Sequence, residues 1–102
     1  MSTCKITVLK RVVHQDLVDK YMEPGAATLP CPHFREGQEF VFDDHPGEDF
    51  CQAAWNDIYK AYVALKTGGS FAPWMKTDNT LIVCCSDGIR PVFFKLERLA
   101  DA

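Results

Sequence analysis

The chain has 102 residues, with 11 basic against 14 acidic side chains and a formal net charge of -3. Hydrophobic residues make up 47% and charged residues 25%, which suits one packed core under a solvated surface. No basic stripe fit for nucleic acid is present, and no apolar run is long enough to cross a bilayer, so neither partner is expected.

Met1-Ser2-Thr3-Cys4-Lys5 lacks the apolar region of a signal peptide. A cytoplasmic location with reduced thiols is therefore expected. Ile6 to Val13 sets Ile6, Val8 and Val12 against Thr7, Leu9 and Arg11, and the alternation predicts a first strand. Gln15 to Met22 carries Leu17, Val18, Tyr21 and Met22 at near-helical spacing, enough for a short helix that Glu23-Pro24-Gly25 ends. Leu29-Pro30-Cys31-Pro32 is extended, because a residue before proline is pushed out of the α region.

Glu39 to Asp43 reads as a short strand. Asp49 with Gln52 three residues on predicts a helix start of the capping-box kind. Cys51, Trp55, Ile58, Tyr62 and Leu65 then form one apolar stripe, and Gly68-Gly69 stops the helix. The loop over 70–80 bears Phe71, Pro73, Trp74 and Met75, and a lid over a pocket or a core filler both suit it. Leu81 to Cys85 and Pro91 to Leu96 complete a hairpin. The order predicts an α+β single domain over 1–102: mainly antiparallel sheet, or a partly closed barrel, with one principal helix packed on it.

A type I′ turn at Asp87-Gly88 would set Cys85 opposite Arg90, Val83 opposite Val92 and Leu81 opposite Phe94. Leu81, Val83, Cys85, Arg90, Val92, Phe94 and Leu96 then share one face, the better core candidate. The other face, with Ile82, Cys84 and Phe93, is apolar enough to expect a cover: a loop, a barrel wall or another subunit. Alternation sends Cys84 and Cys85 to opposite sides, so one of the two is favoured for any site.

Five cysteines is an odd count and argues against a closed disulfide framework. Each is a buried hydrophobe, a metal ligand or a reactive thiol. Arg90 beside Cys85 and a helix start beside Cys51 both favour thiolate. Cys31, Cys51 and either Cys84 or Cys85, with His33 or His45, match a tetrahedral zinc site in ligand type, and iron or copper is also compatible. No Cys-x-x-Cys pair supports a finger or ribbon. Arg90 near Trp55, Tyr59 and Trp74 suits a carboxylate or phosphate, whereas a plain ion pair with Asp87 or Asp57 is the structural alternative.

These residues also carry a resemblance. Pro30-Cys31-Pro32-x-Phe34, Glu36-Gly37-Gln38-Glu39-Phe40, Phe50-Cys51-x-x-Ala54-Trp55-x-Asp57-Ile58-Tyr59, Pro73-Trp74-Met75 and Cys84-Cys85-x-Asp87-Gly88-x-Arg90-Pro91-Val92 resemble a family of small uncharacterised conserved proteins of microbes and fungi. The resemblance covers nearly the whole chain and implies no activity, cofactor or substrate. This chain departs from the family pattern at Asp49, usually Gly, and at the inserted Ala72.

Three functions follow as expectations. The first is a cysteine-centred site, drawing on Cys31, Cys51, Cys84 and Cys85, that binds a metal ion or a small anionic ligand. The second is a small enzyme in which Cys85 or Cys51 acts as nucleophile or metal ligand, Arg90 holds an anionic substrate and Tyr59 or Asp57 moves a proton. The third is an interaction protein or homo-oligomer built on the second sheet face and the aromatic loop.

Overall fold

Four antiparallel strands and two helices make up a computed structural model in which residues 3–26 and 29–99 are described. The ends of the 1–102 domain span lie outside those residues. In chain order the elements are β1 (Cys4–Arg11), α1 (Gln15–Tyr21), β2 (Glu39–Phe42), α2 (Gln52–Lys66), β3 (Thr80–Cys84) and β4 (Val92–Arg98). The sheet runs β2-β1-β4-β3 and stays open, with β2 and β3 at its edges. The expected α+β architecture is the one observed, in its open-sheet and not its barrel form.

Period-two alternation builds the core face. Cys4, Ile6 and Val8 of β1 are buried, as are Val92, Phe94 and Leu96 of β4. α2 covers them with Ala54, Trp55, Ile58, Tyr62 and Leu65, the stripe read from the sequence with Ala54 added and with Cys51 left outside the helix as its part-buried N-cap. Its C-terminus is a Schellman motif. The N–H of Gly69 donates to the carbonyl of Ala64 at 2.8 Å, and that of Gly68, at φ +98°, to Leu65 at 3.0 Å. Arg98 then anchors this end to β4, its Nη1 donating to the carbonyls of Leu65 (2.7 Å) and Gly69 (2.9 Å).

Three local expectations are corrected. The first strand begins at Cys4 and ends at Arg11; a bulge between Val8 and Lys10 interrupts its ladder to β4, which resumes at Lys10 and closes at Arg11. Beyond it Val12 and His14 donate to the carbonyls of Pro91 and Ile89 instead. Asp49 does not cap α2. The N-cap is Cys51, with no side-chain cap bond, and the rings of Phe50 and Trp55 pack across it at 6.2 Å. That hydrophobic staple fixes the helix entry where a polar cap was expected.

The hairpin register is also two residues away from the expected one. Val83 pairs with Phe94 and Leu81 with Leu96, and Ser86 to Pro91 form a longer connection. A two-residue turn would have made Cys84 and Pro91 a hydrogen-bonded pair, and proline has no N–H to donate. Gly88 lacks the positive φ that a type I′ turn requires. A shift of two preserves side-chain parity, so the core-face assignment holds.

The second face is not covered by any described segment. It carries Lys5 paired with Glu39 (3.3 Å), Lys95 paired with Glu97 (3.2 Å), and Lys10 over the Phe93 ring at 5.0 Å. Ion pairs and a cation over an aromatic face do the work the cover was expected to do.

Candidate functional site: a thiol-lined cleft

A cleft of about 350 Å³ opens where the 31–34 segment, the start of α2 and the β3–β4 connection meet. Cys31, Cys51 and Cys85 all line it, one from each segment, together with Arg90. Each is placed by a different local device.

Cys31 sits between two prolines in a segment held at both ends. Arg11 donates from Nη1 to the Cys31 carbonyl at 3.0 Å while its Nε pairs with Glu36 at 2.9 Å. At the other end Phe34 is buried against the rings of Phe50 and Phe94, 5.0 and 5.1 Å away. Glu36 accepts a hydrogen bond from its own backbone N–H and from Arg11, which keeps its carboxyl below the usual range. Cys51 is set by the Phe50–Trp55 staple, and its carbonyl accepts the N–H of Trp55 at 2.9 Å. Its thiol makes no cap bond and lines the cleft.

Cys85 extends the β3 ladder by one step, its N–H donating to the Val92 carbonyl at 3.1 Å. The Val92 N–H donates to Cys85 Sγ at 3.4 Å, so this sulfur is fixed against the strand end. The following loop is tied down by two carboxylates. Asp57 Oδ2 accepts the Ser86 N–H and hydroxyl, at 2.8 and 2.9 Å. Asp87 Oδ1 accepts the N–H groups of Ile89 (2.8 Å) and Arg90 (2.9 Å), and Oδ2 lies 3.6 Å from Arg90 Nε. The Arg90 N–H is the chief reason the Asp87 carboxyl lies below the usual carboxylate range.

The floor of the cleft is hydrocarbon, from Phe34, Ala54 and Val92, beside the three cysteines. Its polar groups gather near the mouth, where Arg90, Ser86, Asp57, Asp87 and His33 stand. Arg90 contacts Asp87 through Nε alone, and its two terminal nitrogens donate to no described residue. They are the half of the guanidinium suited to a bidentate acceptor.

The other candidates lie elsewhere. Cys84 is exposed on the opposite sheet face, as alternation requires. Trp55 is buried among Phe42, His45, Phe50, Tyr59 and Tyr62 and does not line the cleft. Tyr59 is half exposed on the outer side of α2 and packs on Trp55 and Tyr62, away from Arg90. Trp74 stands 78% exposed at a separate groove, so the 71–75 loop is not a lid over the thiols. Asp57 reaches the cleft, but its Oδ2 is engaged by Ser86. His45 Nδ1 accepts the Gly47 N–H at 2.9 Å, and Cys4 is a core residue whose thiol burial pushes up.

Among the described residues no three His, Cys, Asp or Glu side chains are disposed to hold a metal ion. The sulfurs share a cleft without forming a ligand set. Sequence reasoning missed Arg11, which pins the Cys31 loop, and the loop-building roles of Asp57 and Asp87. The signal for the latter was Pro91, which forbids the short turn and so demands a loop with internal acceptors. Comparison of the chain with protein-family models, with curated proteins and with solved structures gave no match.

Proposed function

We propose that this domain binds a small organic anion, a carboxylate with a short apolar body, in the thiol-lined cleft. The observation that carries the reading is the meeting of Cys31, Cys51 and Cys85 with a half-engaged Arg90 around one 350 Å³ space. An apolar floor with one cation at the mouth suits a ligand that is charged at one end only. Asp57 and Asp87 also face the cleft, and one oxygen of each is engaged by the loop, Asp57 Oδ2 by Ser86 and Asp87 Oδ1 by Ile89 and Arg90. The start of α2, a helix of 15 residues, adds unpaired N–H groups and the positive end of its dipole on the same side.

Zinc, iron or copper would require the side chains to regroup, so the metal expectation gains no support from their arrangement. The enzyme alternative keeps Cys85 and Arg90 but loses Tyr59, which lies outside the cleft. The decisive measurement is calorimetric titration with small carboxylates, using inorganic phosphate as a second anion. Binding by the native chain that Arg90→Gln abolishes and Tyr59→Phe leaves intact is expected. Equal binding by the native chain and the Arg90→Gln variant, or no binding by the native chain, rejects the reading.

A further inference from the structure

We propose that β3 is the interface of a symmetric dimer, pairing edge to edge with β3 of a second copy of this chain. β3 has a neighbour on one side only. The bonds Cys85 N–H to Val92 and Arg98 N–H to Asn79 mark 79, 81, 83 and 85 as the positions bonded across to β4. By antiparallel alternation the backbone N–H and C=O groups of Thr80, Ile82 and Cys84 point off the sheet. None of them meets a backbone partner among the described residues. Edge strands are normally blunted by charge, proline or a bulge, and Thr80-Leu81-Ile82-Val83-Cys84 has none of these. The opposite edge, β2, is one residue shorter and holds Glu39 in an ion pair with Lys5.

The choice of a second copy follows from how this strand meets itself. Antiparallel pairing about Ile82 sets Ile82 against Ile82, Leu81 against Val83, and Thr80 against Cys84. Every pair is neutral and none leaves a charge facing its like. A dyad relating antiparallel neighbours stands normal to the sheet, so both α2 helices lie on one face. That face holds a largely apolar groove of about 470 Å³ alongside β3, lined by Ala61, Ala64, Phe71 and Trp74, with Lys60 its one charged residue. Two such grooves meet across the dyad, which covers the 78% exposed Trp74. An unpaired edge and an apolar groove thus coincide at one place, and the same symmetry completes both.

Sedimentation equilibrium of the full chain from micromolar to submillimolar concentration tests this. Twice the chain mass is expected, and Ile82→Lys, which sets like charges together at the dyad, weakens the dimer by roughly tenfold or more. Ile82 is 38% exposed, and Cys84→Lys, which sets a charged side chain against Thr80 of the second copy, weakens the dimer to a smaller extent and keeps the test open should Ile82→Lys fail to fold. Thr80→Cys, oxidised with diamide, yields a covalent dimer that is lost on adding Cys84→Ser. A native chain that stays monomeric throughout overturns the proposal. So does a dimer indifferent to both lysine substitutions, or a cross-link that survives without Cys84.

Discussion

Asp57 on α2 accepts two hydrogen bonds from Ser86 through one carboxylate oxygen, at 2.8 and 2.9 Å, and so joins the helix to the β3–β4 connection. Asp57→Ala removes the acceptor from both donors and is expected to destabilise the fold by about 1–2 kcal/mol. Urea denaturation measures it. The same change frees the loop that carries Arg90, so alkylation of Cys85 accelerates in the folded protein, whereas Asp57→Asn, which keeps a carbonyl acceptor, gives a smaller effect on both.

The folded Asp87 carboxyl lies below its ordinary range, chiefly through the Arg90 N–H. A depressed carboxylate contributes stability above its unfolded pKa, and that contribution is lost as pH falls through the folded value. Asp87→Asn is expected to flatten the stability profile in the acid range while leaving its shape near neutrality unchanged. Urea midpoints measured from pH 2 to pH 7, a window spanning roughly the carboxylate range, test this. An unchanged acid limb in the variant refutes it.

Phe50 is buried, staples the start of α2 through Trp55, and meets Phe34, Phe40 and Phe94. Phe50→Ala is expected to cost about 3–5 kcal/mol, read by thermal or urea melting. Phe50→Leu keeps most of the volume, and its smaller loss separates packing from a general intolerance at this position.

Gly69 and Gly68 are predicted to fail for different reasons. A Cβ on Gly69 lies 2.6 Å from the Ala64 carbonyl oxygen, so Gly69→Ala breaks the Schellman closure by contact. Gly68 has open space around it but a φ of +98°, so Gly68→Ala costs only about 1–2 kcal/mol of backbone strain. Denaturation should rank Gly69→Ala as the more damaging of the two.

If Arg90 draws anions into the cleft, the charge of an alkylating agent decides how fast the cleft thiols react. The ratio of iodoacetate to iodoacetamide rates at Cys31, Cys51 and Cys85 should fall in Arg90→Gln and stay constant at exposed Cys84. Peptide mapping by mass spectrometry reads each thiol separately.

Strand and helix positions were legible because α2 and β4 keep one apolar period from end to end and β1 keeps one from Cys4 to Val8. Their boundaries were less so, since tertiary contacts set them. Phe50 competes with Asp49 for the entry of α2 and wins by burying a ring where Asp49 offered one hydrogen bond. Pro91 overrode Asp87-Gly88 in the turn. For the site, residue chemistry pointed to Cys31, Cys51, Cys85 and Arg90, and the fold brings these four together. Trp55, Tyr59 and Trp74 were proposed near Arg90 on aromatic character alone, which carries no direction. α2 turns Trp55 inward and Tyr59 outward, and Phe71 and Trp74 of the 71–75 loop line a separate groove between α2 and β3.

The two central strands come from opposite ends of the order of elements. β1 pairs along its length with β4, setting Cys4 against Arg98, and Leu99 donates to the Thr3 carbonyl. Until β4 has left the ribosome, β1 has only the four-residue β2 beside it, and α2 has no sheet to lie on. Assembly of the sheet therefore waits for long-range closure. Ribosome-bound chains halted before residue 92 should stay fully open to protease.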